Sequence, residues 1–202
     1  MHTRRRASGS PGAQRGFTLV ELMVVVSIVG VLATLASYGV RKYVARAKAA
    51  EAINAVGRVA KDAAAAYTRD GMSGSVSAAG ISAPVSHNLC AGVGTGETVP
   101  SNAAAIRGSR YQSRPTDWTQ GTASQGWRCL RFSIEQPQYY MYNYSSPGGG
   151  ARGTTFEASA QGDLDGDGTL SNFALRGQLA GAAASILDVM IAPNLVETNP
   201  DE

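Results

Sequence analysis

The stretch Gly16-Phe-Thr-Leu-Val-Glu21-Leu-Met-Val-Val-Val-Ser-Ile-Val-Gly30-Val-Leu-Ala-Thr-Leu-Ala36 decides how this chain is built. From Phe17 to Val40 the only charged side chain is Glu21. At about 1.5 Å rise per residue a helix over that span is about 36 Å long. That length crosses a hydrocarbon core of about 30 Å with some tilt. A carboxylate inside such a helix costs roughly 2.5 to 3.5 kcal/mol at the bilayer centre, and less near an end. Glu21 lies one turn into a helix that starts at Phe17, beside the unsatisfied N–H groups and the positive end of the helix dipole.

Everything else reads as a leader before this stretch or as a head after it. Residues 1–16 are basic, rich in Gly, Ser and Pro, and nearly free of apolar side chains, which marks a targeting segment rather than a fold element. The apolar run is too long for the short core of a secretory signal, and the chain continues out of it as a helix. Arg4, Arg5, Arg6 and Arg15 sit in this leader with no acid beside them. Removing those four from a net charge of +3 leaves the chain from Phe17 onward at −1. The basic balance therefore belongs to targeting and does not indicate a polyanion-binding domain. Four bases before the span are matched by Arg41, Lys42, Arg46 and Lys48 after it, so charge counting leaves the orientation undecided.

The segment Arg15-Gly16-Phe17-Thr18-Leu19-Val20-Glu21-Leu22-Met23 resembles the type III signal of type IV pilins and related pseudopilins. The resemblance implies an α+β fold in which a long N-terminal helix packs on a C-terminal antiparallel sheet. The first half of that helix is expected to be membrane-spanning, then filament-core, and the second half amphipathic. It implies that a prepilin peptidase cuts between Gly16 and Phe17 on the cytoplasmic side and methylates the new amine of Phe17. It further implies that Glu21 pairs with the terminal amine of a neighbouring subunit during assembly. The leader must then be cytoplasmic. The precursor is expected in the inner membrane, meeting an assembly platform there, and the mature chain in an extracellular filament made of copies of itself. Where many family members carry a helix-bending proline, this chain has Tyr38 and Gly39.

The implied organisation is a leader at 1–16, a membrane and filament-core helix at 17–40, an amphipathic continuation at 41–70, a variable connecting region at 71–128 and a sheet head at 129–202. Val40, Tyr43, Ala47, Ala50, Ile53, Val56, Ala60, Ala63 and Tyr67 recur at three- and four-residue steps and mark the face expected against the head, with Gly71 as a stop signal. Residues 128–134 alternate polar and apolar and predict a strand that forms a hairpin with a second one at 139–144. Further strands are predicted at 154–160 and 172–179, joined by an Asp-rich turn. The last apolar residues, around Leu187, Val189 and Ile191, admit a strand or a helix.

Cys90 and Cys129 both lie in the part that is exported if the apolar run is an anchor, which favours a disulfide between them. The alternative is two reduced, buried thiols. Asp163-Leu-Asp165-Gly-Asp167-Gly168 matches the first half of an EF-hand loop, with the Thr169 carbonyl and Ser171 as further oxygens. The twelfth position is Ala174, where a bidentate glutamate belongs, and the flanks read as strands. Some pilins and pseudopilins hold calcium in a head loop, so calcium is the one cofactor candidate, against a plain Asp-Gly hairpin turn.

Catalytic patterns are lacking: the leader aside, the only histidine is His87, and no nucleophile elbow, P-loop or zinc-ligand spacing occurs. The expectation is a structural pilus subunit serving adhesion, twitching motility or uptake, not an enzyme. A type II secretion pseudopilin in a periplasmic pseudopilus is the first alternative. The size of the strand-rich C-terminal half favours the pilus. The second alternative is a minor pilin whose Arg107, Arg110, Tyr111, Arg114, Trp118, Trp127, Arg128 and Arg131 capture DNA. Against that stands a solvated basic face with its tryptophans in the core.

Overall fold

A computed structural model describes residues 16–69, 71–72, 85–92, 98–183 and 186–200. The leader up to residue 15, parts of the connecting region including Gly94 and Gly96, and the closing Asp201 and Glu202 lie outside the described residues. The chain divides into two compact units, Met1–Arg41 and Lys42–Glu202. Helix α1, Leu19–Thr68, has its first part in one and its second part in the other.

In the first unit every described residue is exposed, apolar ones included. The serine and threonine hydroxyls within the helix here are satisfied by the helix itself. Ser27 Oγ donates to Met23 O at 2.8 Å, Thr34 Oγ1 to Val31 O at 2.7 Å and Ser37 Oγ to Ala33 O at 2.9 Å. Such back-bonding hides polar groups in the helix surface, which suits an apolar solvent with no partners to offer.

In the second unit, α1 from Ala49 to Tyr67 buries a stripe of small residues that includes Ala52, Val56, Val59, Ala60 and Ala63 against the sheet. The expected face is only half right. Val56, Ala60, Ala63 and Tyr67 are buried, while Tyr43, Ala47, Ala50 and Ile53 are exposed. The expected pattern is phased on Tyr43 and Ile53, whereas the buried stripe runs through Ala49, Ala52, Ala55, Val56, Val59, Ala60 and Ala63. A polar anchor fixes the contact: Glu51 Oε1 accepts from the Tyr139 amide at 3.0 Å and from the Tyr142 hydroxyl at 3.2 Å. Burial, and then the Glu51 charge, push the Tyr142 hydroxyl far above its ordinary pKa, so it remains a donor.

The main sheet is antiparallel, in the order β3 (Tyr140–Ser145), β4 (Thr155–Gly162), β5 (Ser171–Ala183), β6 (Ile186–Ile191), with β7 (Val196–Thr198) also on β5. A two-residue pair, β1 (Gly71–Met72) with β2 (Val85–Ser86), follows α1. Two glycines are required by close packing. A Cβ on Gly162 would lie 2.5 Å from the Tyr140 ring, and one on Gly177 would lie 2.3 Å from the Phe156 ring. This is the expected α+β architecture, with the second half of the helix on an antiparallel sheet.

Residues 128–134 correct the strand reading. They start in a short helix, α2 (Gly126–Leu130), which ends at Arg131 in the left-handed conformation at φ 60° and ψ 33°. Trp127, Cys129 and Leu130 are all buried, and burying near-consecutive residues suits a helical turn, whereas a strand exposes every second one. The predicted hairpin with 139–144 does not form; β3 pairs with β4 instead. The chain after β5 is a strand, not a helix. The described residues of the connecting region contribute to the core. Leu89, Val99 and Tyr111 bridge to Gly149, Tyr142 and Gln138, and Trp118 packs edge-on against Trp127 and Phe132 at ring separations of 5.1 and 5.2 Å.

Candidate processing and assembly site

Phe17 and Thr18 precede the helix, and Phe17 is 92% exposed. Thr18 and Glu21 form a reciprocal cap. The Thr18 amide and the Thr18 hydroxyl both donate to Glu21 Oε2 at 2.9 Å, and the Glu21 amide donates to the Thr18 hydroxyl at 3.2 Å. The first helical bond, Leu22 N–H to Thr18 O, closes at 3.2 Å. The cap satisfies orphan donors and holds the carboxylate over the first turn, at the end of the helix dipole and one residue from the nitrogen of Phe17. Glu21 is therefore neither free nor turned along the helix. Its partner Thr18 escaped the sequence reading, although Thr-x-x-Glu ahead of an apolar run is a recognisable capping signature.

In the head, Cys90 and Cys129 are joined in a disulfide with a Cα–Cα distance of 5.9 Å, and both are buried. The Asp-rich turn joins β4 to β5. Asp163 is 2% exposed; its Oδ1 accepts from the Gly166 amide at 2.7 Å and its Oδ2 from the Gly168 amide at 3.0 Å. Gly166 and Gly168 hold φ of 83° and 97°, which their missing side chains make inexpensive. Arg107 Nε donates to Gly166 O at 2.8 Å and stands 3.7 Å from Asp163 Oδ2. Asp165 and Asp167 are exposed and accept from the amides two residues on, at 3.1 and 2.6 Å. The Thr169 amide holds the Asp167 carboxyl below its ordinary pKa. One oxygen from each of the three carboxylates lies within 4.8 Å of the others. The turn thus gathers three oxygens, and Ala174 lies in β5 with no carboxylate to complete an EF-hand set.

The basic and aromatic residues of 107–131 do not form a stacking surface. Trp118 is 3% and Trp127 1% exposed, so neither presents a ring face to a base. Arg110 lies over the Tyr139 ring at 4.4 Å, with Lys48 also 4.6 Å from that ring.

The family model described as a prokaryotic N-terminal methylation motif matches residues 12–37. The chain is 31% identical over 125 residues to the fimbrial protein EcpC of Eikenella corrodens, covering 57% of this chain and 82% of that protein. It is 52% identical over 40 residues to a fimbrial protein of Moraxella nonliquefaciens and 51% identical over 41 residues to the type IV major fimbrial protein FimA of Dichelobacter nodosus. Each of these two matches covers 20% of this chain and 26% of the relative. No solved structure matches the chain. With its capped apolar helix, its helix-on-sheet head and this likeness, the chain belongs to the type IV pilin family, as a structural subunit that polymerises with its own kind into surface fimbriae and not as an enzyme.

Proposed function

We propose that this subunit is made as a membrane precursor, cut between Gly16 and Phe17 by a prepilin peptidase, methylated at the amine of Phe17, and drawn by an inner-membrane platform into a pilus used for adhesion, motility or uptake. The observation that supports this reading is the Thr18–Glu21 cap at the start of an exposed apolar helix. Cleavage before Phe17 creates a cationic amine one residue from Thr18, on the turn where Glu21 is held. An exposed apolar helix needs lipid before assembly and neighbouring helices after it, where close packing and interhelical hydrogen bonds replace the lipid. The experiment is an intact-mass and N-terminal measurement on filaments sheared from the cell surface. The expected N-terminal residue is N-methyl-Phe17, with one CH2 added to the mass of the chain that starts there and two hydrogens lost to the disulfide. A chain that retains residues 1–16 in the filament would overturn the processing reading, and a processed chain absent from sheared filaments would favour the periplasmic pseudopilus.

Calcium is proposed as a weak ligand of the Asp-rich turn, held by Asp163, Asp165 and Asp167 with the Thr169 carbonyl. Three carboxylates with the Arg107 guanidinium already beside Asp163 place the affinity at the weak end for such loops, about 1 mM. Raising calcium to about 10 mM then stabilises the head by about 1.4 kcal/mol. The expected result for the full chain in detergent is a melting temperature raised by about 3–5 °C, lost when Asp165 and Asp167 are both changed to Asn. An unchanged melting temperature removes the metal from the site.

A further inference from the structure

A cavity of about 750 Å³ opens beside α2, between the 3-10 turn at Pro115–Trp118 and the segment 131–135. Trp118, Trp127 and Phe132 form its floor, and Pro115 and Ile134 its more accessible apolar wall. Its size falls within the range of small-molecule clefts, roughly 300–1,000 Å³. The walls are tied together. Ser113 Oγ donates to Ile134 O at 2.8 Å and accepts from Trp118 Nε1 at 3.0 Å, and Gln112 Nε2 donates to Glu135 O at 2.9 Å. The cavity therefore exists before any ligand arrives, and a ligand does not have to order it.

Its charge is one-sided and unspent. Arg128 and Arg131 line the cavity with exposed side chains, and among the described residues neither guanidinium has a hydrogen-bond or carboxylate partner. Arg131 occupies the left-handed position that ends α2, where glycine is the usual residue and an arginine is disfavoured by its Cβ. A third guanidinium stands near: Arg69 donates to Cys129 O at 2.5 Å, and its pKa is lowered by burial and then by the charge of Arg131. Glu135 is the one acid in the lining.

We propose that this cavity binds the carboxylate of an acidic sugar at the end of a glycan. Arg128 and Arg131 present the paired N–H donors that match a carboxylate, Pro115 and Ile134 pack against the C–H face of the ring, and Ser133 and Glu135 take its hydroxyls. The composition separates this ligand from other anions. A nucleic acid finds no exposed indole to stack on, and a bare phosphate leaves the apolar wall of Pro115 and Ile134 uncovered. A neutral sugar leaves both arginines unpaired. A fimbrial subunit at the cell surface meets such glycans on other cells, but the site is complete within one head and does not depend on assembly.

The test uses the unassembled full chain in detergent, titrated with N-acetylneuraminic acid, with N-acetylglucosamine and with inorganic phosphate. Saturable binding of the acidic sugar is expected with a dissociation constant of about 1 mM, at least about tenfold tighter than for either comparison ligand. Arg131→Gly is the sharpest variant, because glycine suits the backbone there. It should leave the melting temperature unchanged while weakening binding about tenfold, and Arg128→Gln should weaken it similarly. No saturable binding, equal affinity for phosphate or for the neutral sugar, or full affinity in Arg131→Gly would each overturn the proposal. None of these outcomes bears on filament assembly, which is measured separately.

Discussion

Glu21→Ala is expected to abolish surface filaments while leaving the precursor inserted and cleaved. The carboxylate contributes twice, and the two contributions can be separated. In the unassembled chain it caps the helix through Thr18, at a solvent-exposed position where such an interaction contributes little. In the proposed filament it pairs with the methylated amine of a neighbouring Phe17 among apolar helices. Removing one partner of a buried ion pair costs about 3–5 kcal/mol, because the other charge is left uncompensated. At every docking step that is a factor of more than 100 in the association constant. A filament adds subunits through the same contact each time, so the loss recurs at every addition. The measurement is the yield of sheared filaments beside the mass of the cell-associated chain. Thr18→Val serves as the control, since it removes the hydroxyl's part of the cap and keeps the carboxylate. Filaments should persist in Thr18→Val, at somewhat reduced yield, and be absent in Glu21→Ala. Normal yield from Glu21→Ala would remove the pairing model, and equal loss in both variants would assign the effect to the cap.

The parts of this molecule that were legible in the sequence are those set by local chemistry. The apolar run with its single carboxylate specifies a helix and its solvent, and the residues around Gly16 specify the resemblance. Strands β3 to β5 were readable because aromatic and other apolar residues alternate with polar ones and the Asp-Gly turn punctuates them, while the segment of β6 admitted a helix as well. Two features were not readable, and for different reasons. The helix face is misplaced in its first half because the pattern is phased on Val40, Tyr43 and Ile53, which carries Ala47 and Ala50 with it. In this chain Tyr43 and Ile53 remain exposed while alanines make the contact, and an alanine's burial depends on what approaches it. Residues 128–134 read as a strand because Leu130, Phe132 and Ile134 alternate with polar residues. Tertiary packing overrides that period. Cys129 is tied to Cys90, Trp127 and Leu130 enter the core from one side of a helical turn, and Arg131 turns the chain in the left-handed region.

The candidate site divides in the same way. Gly16, Phe17 and Glu21 could be read as a motif, whereas the part of Thr18 shows only in the three hydrogen bonds it exchanges with Glu21. The Asp-rich turn was visible as alternating carboxylates. Arg107, 56 residues before Asp163 in the chain, could not be placed beside that turn by any local rule. It arrives there because the Ala103–Ile106 turn packs on the sheet, with the Gly108 amide donating to Asp163 O at 2.8 Å. The charge that bears on the proposed calcium affinity thus comes from the least regular part of the sequence.

Changing both Cys90 and Cys129 to Ala should lower the melting temperature of the full chain by about 10 °C. The bridged residues are separated by 39 positions. In the chain-entropy model, closing a loop of that size removes about 4 kcal/mol worth of freedom from the unfolded chain. At roughly 2–4 °C per kcal/mol for a head of this size, that amounts to about 10 °C. The folded state adds to the effect, because the bridge organises contacts that no regular element supplies. Tyr144 donates to Cys90 O at 3.1 Å, and Arg69 donates to Cys129 O. Ala91 exchanges bonds with Ser124 and Gly126, at 3.0 and 2.9 Å, on the way into α2. Without the covalent link these backbone bonds must position α2 alone, and α2 is too short to persist by its own propensity. A reductant should lower the melting temperature of the natural chain by a similar amount and leave the double variant unaffected. If the reduced and oxidised natural chains melt within about 2 °C of each other, the bridge does not constrain the unfolded chain as the loop-closure argument requires. The stability of the head would then rest on the aromatic contacts of Trp118, Trp127 and Phe132.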